Sequence, residues 1–177
     1  GEGGGGGRGG ASLSETELCQ LHQVQLWLLL ECNLPLDSPA VLPPLLRYQC
    51  RSAIKASSHR SPSAVHLTVI TLLREAILHD APCSISEHFT DEPTSYSIDI
   101  ALSTDAIKVA LQVDPPHHFL LDTERAIRMP DGPTLLKWRQ LRAVGWHVVS
   151  INEFEWQRLA HGPEQREHLR RKLAPYM

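Results

Sequence analysis

The sequence is poor in the residues that mark metal-stabilised, disulfide-bonded and membrane-spanning proteins. Its four cysteines are scattered among 177 residues, and no two of them form a C-x-x-C pair. Neither a zinc site nor a disulfide framework is therefore indicated. No apolar run approaches the roughly 18 residues that a membrane span needs, so a membrane is not expected among the partners.

An excess of positive charge is also missing. The formal net charge is -3 at pH 7 and the sequence pI is about 6.4. These values exclude a uniformly basic nucleic-acid binder, so any such binding must come from a local patch. With 42% hydrophobic and 21% charged residues, the chain is expected to bury one core of ordinary size.

The first residues are almost all glycine, and we interpret residues 1–12 as a flexible linker. This stretch has a single arginine and no apolar core, so it does not resemble a presequence. Any import signal is therefore expected upstream. Ser14 and Glu17 then have the spacing of a capping box, which predicts a helix that ends near Cys32. A proline-punctuated segment follows, and we predict a helical extension over residues 13–60.

The rest of the chain predicts a mixed sheet covered by helices. Pro62 favours a helix start at Ser61, and the apolar spacing continues to about His79. Three strands with turn-like connections are predicted next, over Ser84–Thr90, Tyr96–Leu102 and Lys108–Asp114. After a loop come a helix between Pro133 and Gly145, the strand WHVVSI, a short helix capped by Asn152 and a last basic helix. This order predicts an α/β fold.

The polar positions of two predicted strands are the first candidates for a site. Asp99 alternates with the apolar residues of its strand, as Gln112 and Asp114 do in theirs. If the two strands pair, these three side chains gather on one face, next to His117 and His118. Oxygen ligands of this kind can hold magnesium and activate water. Solvated acids and a turn-forming Asp-Pro-Pro explain the same residues without any function.

Two segments resemble one known family. The run KVALQVDPPHHF, followed after a variable loop by GPTLLKWRQLRAVGWHVVSINEFEW, is similar to the RAP domain. This RNA-binding domain is abundant in apicomplexans and is found in plant, algal and animal organelle proteins, including the Fas-activated serine/threonine kinase family. The resemblance is densest over residues 108–169, and we predict a RAP-type domain over residues 61–177.

The resemblance implies a restriction-endonuclease-like, PD-(D/E)xK-like core and a role in organellar RNA metabolism, such as rRNA processing, in a mitochondrion or chloroplast. It implies helical repeats upstream. If the cleft is catalytic at all, we predict Asp99, Gln112, Asp114 and His118 as its catalytic residues, with Asp99 and Asp114 as magnesium ligands; the resemblance itself matches Asp99 to the acid of the first site strand. The sequence departs from that pattern, because Gln112 replaces an expected acid and Asp114 an expected lysine. An amide ligates magnesium poorly, which favours RNA binding with little or no catalysis.

Basic and aromatic residues near this strand support RNA binding. The predicted RNA-binding residues are His117, His118, Lys137, Arg139 and Arg142. The expected function is an RNA-binding module, for single-stranded RNA, of an organellar RNA processing, stability or translation factor. Two alternatives stay open: a magnesium-dependent endoribonuclease that uses the same cleft, and a module that binds proteins of a ribonucleoprotein.

Overall fold

A computed structural model describes residues 12–57, 61–77, 83–122 and 127–176 of the chain. The first helix, α1, spans Glu15–Leu30. The predicted capping box is confirmed at its start, where Glu17 N donates to Ser14 Oγ at 3.3 Å and Ser14 N donates to the Glu17 carboxylate at 2.8 Å. Among the described residues, no helix is both long and apolar enough to cross a membrane.

A four-stranded sheet forms the centre of the fold. Its strands are β1 (Ser84–Thr90), β2 (Ser97–Ser103), β3 (Lys108–Asp114) and β6 (His147–Asn152), in the spatial order β1-β2-β3-β6. The first three strands are antiparallel neighbours, and β6 lies parallel to β3. The predicted hairpin meander and mixed sheet are confirmed.

Helices cover both faces of the sheet. Besides α1, they are α2 (Pro44–Ser57), α3 (Ala64–Leu72), α4 (Gly132–Ala143), α5 (Glu153–Trp156) and α6 (Pro163–Leu173). On one face α1, α2 and α4 contribute Leu26, Ile54 and Leu141 to a core with the strand residues Ala101 and Ala110. On the other face α3, α5 and α6 pack on the alternate strand residues, such as Leu111. The predicted helical extension therefore shares a core with the sheet.

The start of α3 differs from the sequence-based prediction, whereas the end of the α4 segment agrees with it. We predicted that α3 begins at Ser61, but Ser63 is the N-cap, since its hydroxyl accepts from His66 N at 3.2 Å. A π-helical turn, Leu73–Ile77, continues α3, and the predicted end near His79 lies outside the described residues. Gly145 ends the α4 segment with a φ of 93°, as predicted.

The prediction of a plain loop between β3 and α4 is wrong. Pro116–His118 forms a 3-10 turn, and it leads into an antiparallel hairpin of β4 (Phe119–Asp122) and β5 (Ile127–Pro130). Its strands are four residues long and their exposed side chains are apolar, as at Leu120 and Met129. Strands of this kind lack the alternation of polar and apolar residues on which the prediction depends.

Candidate functional site

The candidate site begins where β2 and β3 pair. Ile100 lies opposite Leu111 in their register, so Asp99 and Gln112 are the next residues on the two strands. Asp99 Oδ2 accepts a hydrogen bond from Val113 N at 2.7 Å, which ties the carboxylate to the neighbouring strand. The predicted placement of Asp99 beside Gln112 and Asp114 on neighbouring strands is confirmed.

Asp114 is buried at the end of β3, and both of its carboxylate oxygens have protein partners. Ser150 Oγ, on the parallel strand β6, donates to Oδ2 at 2.6 Å. His118 Nδ1 donates to Oδ1 at 3.2 Å. Lys172 Nζ donates to the Ser150 carbonyl at 2.8 Å, so α6 helps to hold the residue that orients Asp114.

Gln112 is only 2% exposed, and a lysine fixes the orientation of its amide. Lys137 Nζ, on α4, donates to Gln112 Oε1 at 2.8 Å. Because an ammonium group only donates, Gln112 must direct its Oε1 toward Lys137. Its Nε2 therefore points away from Lys137. This Nε2 is buried and has no hydrogen-bond partner among the described residues. An unsatisfied buried donor costs about 1–3 kcal/mol, so a ligand with an acceptor would gain from reaching it.

Hydrogen bonds of Asp131 join the start of α4 to the turn that carries His117 and His118. Asp131 caps the helix by accepting from Thr134 N at 2.8 Å, and Asp131 N donates to the His118 carbonyl at 2.8 Å. Burial alone would raise the pKa of Asp131. The hydrogen bonds from Thr134 and the charges of His118 and His117 outweigh that effect and lower the pKa below its ordinary value.

These residues line a cleft of about 500 Å³. Of the sequence-predicted site residues, the cleft brings together Asp99, Gln112, Asp114, His117, His118 and Lys137. The structure places two predicted residues outside it. Arg139 Nε pairs at 2.9 Å with Glu31, the C-cap of α1, and the Arg142 guanidinium lies 5.9 Å from the centroid of the Trp138 ring.

The cleft also contains residues that the sequence analysis missed. His66 on α3 and His88 on β1 stack with their ring centroids 5.0 Å apart, and both line the cleft. His88 has a φ of 49°, which is uncommon for a residue other than glycine. They are 22 positions apart in the sequence and no spacing rule connects them, so only the packing of α3 on the sheet reveals the pair.

The donor set of the cleft does not fit a magnesium ion well. Protein donors already occupy both oxygens of Asp114 and one oxygen of Asp99, and the Lys137 ammonium approaches the amide between them. Within the described part of the chain, no group of three or more His, Cys, Asp and Glu residues has a geometry that could hold a metal ion.

Comparison with known proteins gives the family. The RAP domain family model matches residues 111–172. The chain contains a RAP domain. The match begins in β3 and ends at the C-terminal end of α6. It includes the cleft residues Gln112, Asp114, His117, His118 and Lys137, whereas Asp99 lies outside it.

Two longer proteins are similar to the chain. A chloroplastic RAP domain-containing protein of Oryza sativa subsp. japonica is 37% identical over 93 residues, which cover 51% of this chain and 14% of that protein. FAST kinase domain-containing protein 3, mitochondrial, of Mus musculus is 30% identical over 179 residues, covering 91% of this chain and 25% of that protein. The chain thus spans a quarter or less of the length of these two relatives.

Proposed function

We propose that the chain is the RNA-binding module of an organellar RNA processing, stability or translation factor. The observation that carries this proposal is the Gln112–Lys137 pair at the floor of the cleft. It offers a cation and an unsatisfied amide donor, which suit the phosphate and carbonyl acceptors of RNA. The acids beside it are already engaged by protein donors.

Single-stranded RNA fits this cleft better than a duplex does. Single strands can direct unstacked bases into a pocket, where rings stack on them and polar groups reach their edges. His117 is exposed at the mouth of the cleft, and its ring centroid lies 4.8 Å from that of His118. The two rings lie edge to face, so each offers its own surface on which a base would stack within the cleft.

We further propose that the core is restriction-endonuclease-like and is retained as a binding scaffold. The sheet order β1-β2-β3-β6, with antiparallel pairs followed by one parallel pair, supports this proposal. The position of Asp99 and Asp114 on two adjacent strands supports it too. The relatives are named as chloroplastic and mitochondrial proteins, which supports an organellar location. Their greater length leaves room for the helical repeats that we propose upstream.

An endoribonuclease is the second candidate, and one contact favours it. The Asp114 carboxylate accepts from His118 Nδ1 at 3.2 Å, which would orient the opposite ring nitrogen as a general base. Magnesium would be the cofactor of the metal-dependent form of this activity, held by Asp99 and Asp114. Against it stand the neutral amide at position 112 and the protein donors that occupy the two acids.

The test compares two single-charge changes on α4. Lys137→Gln removes the cation of the cleft, whereas Arg139→Gln removes one that pairs with Glu31 outside it. In fluorescence anisotropy titrations of a labelled single-stranded RNA, we expect Lys137→Gln to weaken binding about tenfold and to reduce the salt slope by about 0.7. Arg139→Gln should change neither. Equal losses in two folded variants would mean that the cleft is not the binding surface.

A further inference from the structure

A second concave surface lies between α1 and α2, and we call it the α1–α2 groove. Its volume is about 560 Å³, and it is lined by residues between His22 and Pro93. None of these residues belongs to the segment matched by the RAP domain model. The groove is separate from the cleft but adjacent to it, because Lys55 of α2 lines the groove while Ile54 and Ser57 line the cleft.

The groove contains an unsatisfied donor of its own. Gln25 is 4% exposed, and its Oε1 accepts from Leu42 N at 2.7 Å. A backbone N–H only donates, so the amide orientation of Gln25 is fixed in the same way as that of Gln112. Gln25 Nε2 is buried and lacks a hydrogen-bond partner in the described part of the chain. The groove therefore holds a second amide donor that a ligand with an acceptor would satisfy.

Positive charge is in excess along the groove. Arg47, Arg51 and Lys55 follow each other at four-residue intervals on α2 and line it, so they share one side of the helix. Glu92 is the carboxylate that pairs with both Arg51, at 3.4 Å, and Lys55, at 3.2 Å. The Arg47 side chain forms no hydrogen bond or ion pair with any described residue. The surface is therefore suited to an anion.

Apolar and aromatic side chains complete the groove. Tyr48 is 71% exposed and Leu36 is 64% exposed, and both line it. An exposed tyrosine next to arginines offers a flat surface for a ring and cations for a phosphate, which are the two elements that proteins use to bind nucleotides of a single strand. The volume falls in the range that holds one small ligand.

We propose that the α1–α2 groove binds one nucleotide unit, with its phosphate at Arg47 and Arg51, its base on Tyr48 and an acceptor at Gln25. Two sources present this chemistry: a free mononucleotide, and a nucleotide within an RNA strand that also occupies the cleft. The second source would extend the RNA footprint across the C-terminal half of α2. This site is independent of the Gln112–Lys137 pair, although both would serve RNA binding.

Three variants of the whole chain test the proposal. Arg47→Gln removes a cation, and Tyr48→Ala removes an exposed ring. Gln25→Glu keeps the acceptor for Leu42 N but replaces the donor with a negative oxygen. The matched control is Arg166→Gln on α6, an exposed residue of the helix on the opposite face of the sheet. Thermal unfolding by circular dichroism checks that each variant is folded.

The probes are adenosine 5′-monophosphate, titrated by calorimetry, and a labelled 12-nucleotide single-stranded RNA, titrated by anisotropy. We expect each groove variant to weaken RNA binding about tenfold and the control to leave it unchanged. Binding of the mononucleotide, lost in Arg47→Gln and Tyr48→Ala, would identify a free nucleotide as a ligand. Loss of RNA binding alone would identify the strand.

Crosslinking locates the contact directly. An RNA that carries 4-thiouridine should crosslink to the α2 peptide that contains Tyr48, and Tyr48→Ala should abolish that crosslink. Wild-type binding of both probes by all three groove variants would overturn the proposal. If Lys137→Gln still weakens RNA binding in that case, the cleft function stands. If the groove variants lose binding and Lys137→Gln does not, the groove stands and the cleft proposal fails.

Discussion

The Lys137 ammonium lies 2.8 Å from the amide oxygen of Gln112, a residue on a different element and 25 positions earlier in the chain. An acid at position 112 would pair with this lysine as a salt bridge. The amide instead accepts one bond and leaves its Nε2 unused. The contact therefore changes what the cleft can do, because it offers donors at the place where a nuclease of this proposed ancestry would need acidic oxygen ligands.

The first prediction concerns metal-dependent cleavage. The wild-type chain, incubated with single-stranded RNA and magnesium or manganese, should cleave it little, because the amide and the engaged acids provide few free oxygens for a metal. Gln112→Glu replaces the neutral amide with a carboxylate that can ligate the metal, and we expect a measurable gain of cleavage in that variant only. Gel electrophoresis of end-labelled RNA measures both.

Two results would contradict this ranking. Robust wild-type cleavage that Asp99→Ala abolishes would make the endoribonuclease the leading function. Cleavage that persists in a metal chelator and depends on His118 would indicate a metal-independent reaction. Gln112→Met is the matched control for Gln112→Glu, since it has a similar size and adds no acid.

The second prediction is a pH dependence of stability at the start of α4. The lowered pKa of Asp131 means that its carboxylate stabilises the folded state above the ordinary carboxyl pKa of 3.8. That contribution is lost as pH falls through the still lower folded value. Asp131→Ala should cost about 1 kcal/mol at pH 7, because the N-cap is lost.

Urea unfolding at several pH values measures this effect. The difference in unfolding free energy between the wild type and Asp131→Asn, which keeps a capping oxygen, should shrink as pH falls below about 4. Asp105→Asn, in the exposed turn between β2 and β3, is the control and should show no such trend. A difference that grows on acidification would mean that the folded state does not favour the ionised form of Asp131.

The sequence predicted the strands and the acids of the site better than it predicted their partners. Alternation placed β1 and β3 at their observed bounds and put Asp99, Gln112 and Asp114 on adjacent strands, since period two is a local property. The contact of Lys137 with Gln112 depends on the packing of α4 over the sheet. The same packing pairs Arg139 with Glu31, 108 positions away, and no local pattern encodes either contact.

The third prediction concerns a buried chain of hydrogen bonds that joins α1, α4 and the segment before β2. Tyr96 Oη donates to Gln140 Oε1 at 2.6 Å, and Gln140 Nε2 donates to the Gln23 carbonyl at 3.1 Å. Burial raises the pKa of Tyr96 well above its usual value, so it remains a donor. Tyr96→Phe should lower the free energy of unfolding by about 1–2 kcal/mol, whereas Tyr48→Phe, at an exposed position, should not. An unchanged urea midpoint in Tyr96→Phe would show that the bond contributes nothing net.

The fourth prediction concerns Asp91, a 5% exposed acid in the turn between β1 and β2. Its carboxylate accepts from Trp146 Nε1 at 2.9 Å and from the backbone N and the hydroxyl of Thr94 at 3.0 and 2.6 Å. Asp91→Ala leaves three buried donors without their acceptor, so we expect a loss of about 3 kcal/mol or more. The Ser95 hydroxyl in the same turn accepts from Arg51 Nε at 3.0 Å, which links this turn to the α1–α2 groove.

A double-mutant cycle with Trp146→Phe separates the Trp146 contact from the rest of the Asp91 network. If the indole contact stabilises the fold, the sum of the two single losses in unfolding free energy should exceed the loss in the double variant by about 0.5–3 kcal/mol. Additive losses would mean that Asp91 acts only through Thr94. Tryptophan fluorescence gives an independent readout, because Trp146 is 4% exposed and its indole should become more hydrated in Asp91→Ala. Asp105→Ala, which removes an exposed acid, controls for the change in charge and should alter neither the stability nor the emission maximum.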